Sequence, residues 1–262
     1  MQLIFVIILI VLIFGILSLG KQNLVQIGKA GEKKSARALT WLDKNAIVLQ
    51  NVYVPKADGG TSEIDVLYIT SKGLFVIESK NYAGYIFGND KSQNWTVTLY
   101  AGEGFWGNSI VEKHHFYNPV WQNNTHIRNL IKLLQMDIPM FSIIVFGDDS
   151  DIKAMTLSGD AVVCYRKNLK KTVRQIMDAS PDVLLQDQIR QIGERLEPLT
   201  CVSEETRSEH VEDIKTKLND TEHCPRCGGR LVIRTVKNGE NSGHQFYGCS
   251  NYPKCRYTRN LT

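Results

Sequence analysis

The segment over residues 63–81, EIDVLYITSKGLFVIESKN, constrains the fold more than any other part of the sequence. Its two halves are rich in Val, Ile, Leu, Phe and Tyr, and a Ser-Lys-Gly turn at residues 71–73 separates them. The pattern predicts a buried β-hairpin. In an antiparallel hairpin the start of the first strand lies beside the end of the second. Asp65 near the start of the hairpin and Glu78 near its end are therefore expected to lie side by side.

Two adjacent carboxylates at the edge of an apolar surface repel each other unless a cation or a shared proton relieves the repulsion. Mg²⁺ accepts one or two carboxylates together with water and phosphate oxygens, and Lys80 would project beside the same ion. The pattern is therefore compatible with a metal-assisted phosphodiester hydrolase, and the surrounding motifs decide how it is interpreted. The alternative is a surface hairpin in which Glu78 and Lys80 pair across a solvated face, because charged residues are common at strand ends.

Charge is distributed unevenly along the sequence. The 262 residues are 43% hydrophobic, enough for one or two domains with a real core, and the net charge of +4 is modest. Residues 179–222 contain five basic and eleven acidic residues, whereas residues 221–262 contain seven basic and two acidic residues. This asymmetry predicts an acidic linker over residues 198–222, with one loose helical turn, and a basic terminal module over residues 223–262.

The N-terminal residues 3–19, LIFVIILIVLIFGILSL, contain no charged residue. They predict a transmembrane anchor over residues 1–20, at the short end of the roughly 17 to 25 residues that span a bilayer core. A cleaved signal peptide is the alternative, but Met1-Gln2 lacks a basic region and no clear cleavage motif follows. The first basic residues follow the apolar run, so the positive-inside tendency predicts a single-pass cell-membrane protein whose folded domains are cytoplasmic.

Two helices are expected to carry polar groups near the hairpin. Residues 27–42 predict a helix by propensity, and they place Glu32 on a stripe of small and apolar residues. Such a carboxylate either interacts with the helix dipole or belongs to the metal site. A second helix is expected to begin at Asn118-Pro119, with Asn as its N-cap. Gln122 and His126 lie one turn apart on it, and His126 is interpreted as a solvated or capping side chain, with a functional role as the less favoured alternative.

Three further segments predict strands. Residues 95–99 predict one short strand after the hairpin. Residues 141–147, FSIIVFG, form a continuous apolar run after Pro139, which predicts a buried strand. Residues 161–165 predict another strand.

Several motifs, taken together and in this order, resemble the nuclease-related domain, a family that is similar in turn to the PD-(D/E)-x-K nucleases. The motifs are G-x-x-G-E at residues 28–32, L-x-N-V-Y-V at 49–54, E-I-D at 63–65 and G-L-F-V-I-E-S-K-N-Y-x-G at 73–84. The resemblance covers residues 27–134 and implies an α/β fold over residues 21–197, with a restriction-endonuclease-like mixed central sheet flanked by helices. The sequence departs from the family in two places, since no Pro precedes Asp65 and Ser79 stands where Val is commoner.

The resemblance also implies roles for individual residues. Asp65 and Glu78 would be the carboxylates that bind Mg²⁺ or Mn²⁺, Lys80 the catalytic lysine and Glu32 the helix carboxylate. The N-P-x-x-Q run that ends at Gln122 resembles a later motif of the family, so Gln122 would contact substrate or position a ligand.

The C-terminal module contains four cysteines in two knuckles, C-P-R-C and C-S-N-Y-P-K-C. This spacing is typical of a structural zinc ribbon, because a tetrahedral ion takes four thiolates and leaves no open position. A module of about forty residues has too small a hydrophobic core to fold without a bound metal ion or a comparable cross-link. Disulfides are the alternative, which the predicted cytoplasmic location disfavours. The expected Zn²⁺ ligands are Cys224, Cys227, Cys249 and Cys255.

The run F-Y-G-C-S-N-Y-P-K-C, with the preceding Gly-Gly-Arg-Leu, resembles the C-terminal zinc ribbons of bacterial type IA topoisomerases, which implies binding of single-stranded DNA. Aromatic residues interleave with Arg and Lys, as expected where bases stack and phosphates are neutralised, although some aromatics must pack around the metal. These aromatics are Phe246, Tyr247, Tyr252 and Tyr257.

Together these patterns predict a membrane-anchored, metal-dependent nuclease whose ribbon captures DNA, with capture and chemistry separable. The alternative is a non-catalytic, membrane-tethered DNA-binding protein with a degenerate nuclease fold.

Overall fold

The computed structural model describes most of the residues that follow the predicted anchor. The described residues are 28–56, 59–103, 109–220, 222–237, 239 and 242–261. The anchor predicted over residues 1–20 lies outside them. Within the described ranges, no helix is long and apolar enough to cross a membrane.

Helices and strands alternate along the described part of the protein. The helices are α1 (residues 28–40), α2 (Pro119–Leu134), α3 (Leu169–Ala179), α4 (Gln186–Leu196) and α5 (Glu204–Asn219). The strands are β1 (Ile47–Pro55), β2 (Thr61–Thr70), β3 (Gly73–Lys80), β4 (Gly84–Asn89), β5 (Asn94–Glu103), β6 (Ser109–Tyr117), β7 (Met140–Phe146), β8 (Ser150–Thr156), β9 (Val162–Tyr165), β10 (Leu231–Thr235), β11 (Gln245–Cys249) and β12 (Thr258–Asn260).

The predicted hairpin forms the middle of a five-stranded sheet in the order β1-β2-β3-β7-β9. Strands β1, β2 and β3 are antiparallel, with Val66 opposite Ile77, whereas β7 and β9 run parallel to β3. Gly73 ends the hairpin turn with a φ of 127°. A Cβ at this position would lie 2.3 Å from the carbonyl oxygen of Pro139, so the close approach of β3 to the start of β7 requires glycine.

Helices cover both faces of this sheet, which confirms the predicted mixed sheet with flanking helices. On one face α1 and α3 pack with the inward side chains of the sheet around Ala36, Leu39, Leu169 and Val173. On the other face α2 and α4 pack around Leu130, Leu134, Ile189 and Ile192. Because both faces of the sheet are buried, the sequences of its central strands are continuous apolar runs and do not alternate between apolar and polar residues.

A second sheet replaces the single strand that the sequence predicted over residues 95–99. Its order is β6-β5-β4-β8, and it packs its inner face around Trp95, which is fully buried beside Ile86 and Phe146. Residues 110–115 of β6 are exposed on both sides of the strand. They therefore lack the apolar alternation that would have marked β6 as a strand in the sequence.

Residues 204–219 form α5, where the sequence predicted a linker with one loose turn. His210 holds this helix against the central sheet, because it is 7% exposed and its Nδ1 lies 3.1 Å from Thr61 Oγ1. The His210 ring also meets Tyr53 edge-on at 5.6 Å. Tertiary contacts made by one buried side chain leave no periodic signal in an acidic segment.

Helix α2 begins as predicted, with Pro119 at its first position and Asn118 as the N-cap. Asn118 is fully buried, and its side-chain oxygen accepts from the N–H of Val120 at 3.0 Å. Its amide group donates to the carbonyl oxygens of Asn89 and Ser92 at 3.0 and 2.6 Å. One side chain therefore joins the start of α2 to the β4–β5 turn.

We predict that Asn118→Ala lowers the free energy of unfolding by about 1–3 kcal/mol, since the cap is lost and the half-buried carbonyls of Asn89 and Ser92 each lose one donor. Urea unfolding of the full-length protein in detergent, followed by circular dichroism, measures the change. Asn124→Ala is the control, because Asn124 is exposed on the same helix, and its effect is expected to stay within about 0.5 kcal/mol. Equal effects of the two substitutions would contradict the assigned role.

Candidate functional site

The two carboxylates predicted to bind metal lie next to each other on neighbouring strands. Asp65 on β2 is half-buried, and Glu78 near the end of β3 is 1% exposed. The backbone N–H of Ser79 donates to Asp65 Oδ2 at 2.7 Å, which holds Asp65 beside the end of β3. The near-complete burial of Glu78 excludes a solvated surface hairpin.

The two carboxylates differ in their electrostatic environments. Burial and the charge of Glu78 raise the pKa of Asp65 well above its usual range. Burial also opposes ionisation of Glu78, but the charge of Lys80 and the hydrogen bond from His126 outweigh it and hold the pKa of Glu78 below its usual range. The pair therefore carries the mutual repulsion that a bound cation would relieve.

Lys80 lies between Glu78 and helix α2. Its Nζ is 2.7 Å from Glu78 Oε1 and donates to Gln122 Oε1 at 3.0 Å. Burial disfavours the charged ammonium, yet the charges of Glu78 and Asp65 raise the pKa of Lys80 above its ordinary value. The structure thus brings Gln122 to the predicted hairpin residues, and it keeps Lys80 as a cationic hydrogen-bond donor.

His126 is also part of this cluster, so its interpretation as a solvated or capping side chain is wrong. The imidazole is 5% exposed, with Nε2 3.2 Å from Glu78 Oε2 and Nδ1 2.6 Å from Ser62 Oγ. Because a carboxylate only accepts, Nε2 donates to Glu78. The one-turn spacing from Gln122 was the available sequence signal, since residues i and i+4 share a helix face.

Asn123 is a second residue that the sequence did not single out. It is fully buried, and its amide group donates to the carbonyl oxygen of Val76 at 2.8 Å and to Ser142 Oγ at 2.9 Å. These bonds tie α2 to β3 and β7. They fix the distance between the helix that carries Gln122 and the strand that carries Glu78.

Glu32 on α1 faces the same cluster at greater distance. Burial and the charges of Glu63 and Glu78 raise the pKa of Glu32, which places it within the electrostatic field of the pair. However, within the described residues, only the four cysteines form a group of three or more ligating side chains whose atoms all lie within 4.8 Å of one another. Glu32, Asp65 and Glu78 therefore do not converge on one point.

The donor set at Asp65 and Glu78 fits a hard divalent cation. Mg²⁺ and Mn²⁺ prefer oxygen ligands, and Mg²⁺ commonly takes one or two carboxylates and keeps several waters. Both oxygens of Glu78 are held by protein donors, whereas Asp65 Oδ1 has no hydrogen-bond partner among the residues that the structure describes. The site therefore suits an ion held by two carboxylates and completed by water or substrate oxygens.

The four cysteines of the C-terminal module form a cluster that could hold a metal ion. Their Sγ atoms all lie within 4.8 Å of one another, with Cys224 to Cys255 at 3.7 Å and Cys227 to Cys249 at 3.3 Å. A disulfide would require about 2.05 Å. Burial raises the pKa of the Cys224 and Cys249 thiols, whereas the backbone N–H of Gly229 and neighbouring donors outweigh burial at Cys227 and lower its pKa to about 7. Four converging thiol groups of this kind fit Zn²⁺.

The zinc ribbon, residues 223–261, contacts the first turn of α2. The ring of Tyr257 meets Trp121 edge-on at 6.0 Å, and the Arg226 guanidinium lies 5.6 Å from the Trp121 ring centroid. Tyr257 Oη donates to Gln93 Oε1 at 3.0 Å, and Tyr117 Oη donates to the ribbon carbonyl of Pro225 at 2.6 Å. The ribbon is therefore docked beside the residue that precedes Gln122.

The ribbon aromatics divide into two groups. Tyr257 packs against Trp121 and is not available for base stacking. Tyr252 is 58% exposed, with Arg234 5.4 Å from its ring centroid. Tyr247 lies 5.0 Å from the Arg259 guanidinium. The paired aromatic and guanidinium groups fit the stacking and phosphate contacts that a nucleic-acid strand requires.

Known proteins resemble both modules. Family models match a nuclease-related domain over residues 27–147 and a topoisomerase DNA-binding C4 zinc finger over residues 221–262. An uncharacterized protein of Bacillus anthracis is 31% identical over 219 residues, which cover 82% of this chain and 97% of that protein. DNA topoisomerase 1 of Methanocaldococcus jannaschii is 60% identical over 70 residues, and that of Campylobacter jejuni is 43% identical over 58 residues.

These topoisomerase matches cover 27% and 20% of this chain but only 8% of each topoisomerase. They therefore concern a small C-terminal module rather than the whole enzymes. No solved structure matches the protein.

We predict that His126→Ala weakens Mn²⁺ binding by about 10–100-fold, because Glu78 loses the donor that orients it. Electron paramagnetic resonance of free Mn²⁺, titrated with zinc-loaded protein, measures the affinity. His126→Gln keeps a donor and should recover part of the loss. His114→Ala is the control, since His114 pairs with Glu112 on the exposed face of β6. Unchanged affinity in folded His126→Ala would show that His126 only packs.

Proposed function

The chain belongs to the nuclease-related domain family, and from that premise we propose that it is a metal-dependent nuclease that hydrolyses DNA phosphodiester bonds. The observation that carries the proposal is the juxtaposition of Asp65, Glu78 and Lys80 on β2 and β3. Glu78 is buried, and its two oxygens are held by Lys80 and His126. A buried carboxylate held in this way is costly for a purely structural hairpin.

Asp65 and Glu78 are the residues that would hold Mg²⁺ or Mn²⁺. When bound, such an ion polarises the phosphoryl group and lowers the pKa of a coordinated water. The protein supplies the fixed geometry, since Ser79 N–H orients Asp65 and the Ser62–His126 pair orients Glu78.

Lys80 would act on the phosphate itself. Its ammonium is bonded to Glu78 and Gln122, and its third N–H is available to donate to a phosphate oxygen and stabilise the negative charge that develops there. Gln122 is thereby a positioning residue for Lys80. Glu32 is proposed as the helix carboxylate of the site, because it lies within the electrostatic field of Glu78 although the three carboxylates do not all come within 4.8 Å of one another.

The ribbon would bind a single strand of the DNA. Its match to a topoisomerase DNA-binding zinc finger, its exposed Tyr252 and its basic side chains support this role. Docking on Trp121 places the ribbon beside α2. Deleting the ribbon would expose Trp121, which is 2% exposed. Capture and chemistry are therefore separated more cleanly by substitutions on the exposed ribbon surface than by deletion.

The remaining part of the proposal concerns location. We propose that residues 1–20 anchor the protein in the cell membrane and that both folded modules are cytoplasmic. The absence of charge in residues 3–19 and the basic residues that follow support this topology.

We predict that Asp65→Asn and Lys80→Ala each reduce cleavage of DNA by about 100-fold or more, because ion binding or charge stabilisation is lost. The rate of cleavage is measured by incubating single- or double-stranded DNA with purified protein and Mg²⁺ or Mn²⁺. Asp151→Asn is the matched control, since Asp151 forms a surface ion pair with Lys153. Equal rates in all variants, or no cleavage by the unaltered protein, would favour a non-catalytic DNA-binding protein.

For the ribbon, we expect Tyr252→Ala to weaken binding of a single-stranded oligonucleotide by about tenfold, because stacking on one base is lost. The salt dependence should stay unchanged. Lys254→Ala should instead reduce the salt slope by about one phosphate contact. Fluorescence anisotropy at several salt concentrations separates the two effects. Tyr100→Ala on the second sheet, where Tyr100 is 65% exposed, is the control. A ribbon that docks protein rather than DNA would show neither change.

A further inference from the structure

Helices α1 and α3 present a strongly basic surface that the proposed nuclease site does not use. Residues 28–40 contain four basic residues and one acidic residue, and Leu169–Ala179 contains three basic residues and one acidic residue. The two helices share one hydrophobic cluster on the same face of the central sheet. Six of their seven exposed basic side chains are defined here as the basic face: Lys33, Lys34, Arg37, Lys170, Lys171 and Arg174. The seventh, Lys29, is left out because its charge acts on Glu32.

The basic face is not neutralised by the part of the protein that the structure describes. None of its six side chains forms an ion pair or a side-chain hydrogen bond with another described residue. The acidic residue of α1, Glu32, is half-buried and faces the carboxylate pair instead. Like charges held together at a surface without partners indicate an anionic partner of extended area.

Trp41 adds an amphipathic side chain next to the basic face, in line with two of its basic residues. Lys33, Arg37 and Trp41 follow one another at intervals of four residues, and Trp41 is 84% exposed. A single Trp beside a basic stripe is typical of the membrane interface, where an apolar ring and a polar N–H both find suitable surroundings. A nucleic-acid strand would instead favour several aromatics along its path, as the ribbon provides.

The short connection to the apolar run places this face close to a bilayer, if residues 3–19 anchor the protein as proposed above. Residues 20–27 separate the apolar run from α1, and eight residues span at most about 28 Å. We therefore propose that the basic face docks on the anionic headgroups of the bilayer in which the protein is anchored. This inference rests on the proposed anchoring, and it does not depend on nuclease activity.

If the basic face lies against the bilayer, helix α2 and the zinc ribbon remain accessible to DNA. Helix α2 packs on the opposite face of the central sheet from α1 and α3. Because the ribbon docks on Trp121 of α2, it lies on the side of the sheet that faces away from the lipid. The acidic helix α5, with five acidic and three basic residues, would be repelled by the same headgroups. The basic face is thus a surface whose charge is complementary to an anionic bilayer, and it lies on the opposite side of the sheet from the basic ribbon.

Lysine acetylation of the full-length protein in liposomes tests the proposal. We expect Lys33, Lys34, Lys170 and Lys171 to react several-fold more slowly when phosphatidylserine is added to phosphatidylcholine, as measured by mass spectrometry. Lys132 on α2 is exposed on the opposite side and serves as the internal control. The double variant Lys170→Glu, Arg174→Glu should restore fast labelling of Lys33. The matched variant Arg128→Glu, Lys132→Glu on α2 should leave the protection in place.

Equal labelling in the two lipid mixtures would overturn the proposal. Protection by single-stranded DNA in neutral liposomes, without protection by phosphatidylserine, would overturn it in favour of a nucleic-acid surface. Flotation in high salt reports the anchor separately, because an inserted helix resists salt. A protein that fails to float would overturn the anchor and the docking proposal together, whereas DNA cleavage would remain an independent result.

Discussion

The burial of the Glu78 carboxylate is the constraint on which the rest of the site depends. A buried charge is tolerated only when it is paired and hydrogen-bonded, and Glu78 meets that condition through Lys80 from its own strand and His126 from α2. Asp65 lies on the neighbouring strand, and its ionisation stays unfavourable, because burial and the charge of Glu78 raise its pKa. The hairpin thus concentrates negative charge at one point, and two cationic or donor groups hold it in place.

Helix α2 connects the carboxylate cluster to both sheets and to the zinc ribbon. Its N-cap Asn118 is bonded to the second sheet, and Asn123 is bonded to the central sheet. Gln122 and His126 reach the carboxylate cluster, while Trp121 contacts the zinc ribbon. A displacement of this one helix would change the carboxylate geometry and the position of the ribbon together, which links a proposed capture surface to a proposed catalytic one.

The sequence predicted the parts of this structure that rest on local pattern. The β2–β3 hairpin, the start of α2 and the four converging cysteines all follow from strand composition, capping and ligand spacing. The exposed strand β6 and the helix α5 were missed, because their stability comes from pairing with β5 and from the buried His210 rather than from periodicity. The bond from His126 to Glu78 joins residues 48 positions apart, and only the packing of α2 on the sheet brings them together.

The central claim is that Asp65 and Glu78 hold a divalent cation beside Lys80. Anomalous diffraction from crystals of the protein soaked in Mn²⁺ tests it most directly, because Mn²⁺ and Zn²⁺ are distinguished at their absorption edges. We expect a manganese peak bonded to carboxylate oxygens of Asp65 and Glu78, and a zinc peak at the four cysteines. A zinc peak at the cysteines with no manganese between the two carboxylates would contradict the account.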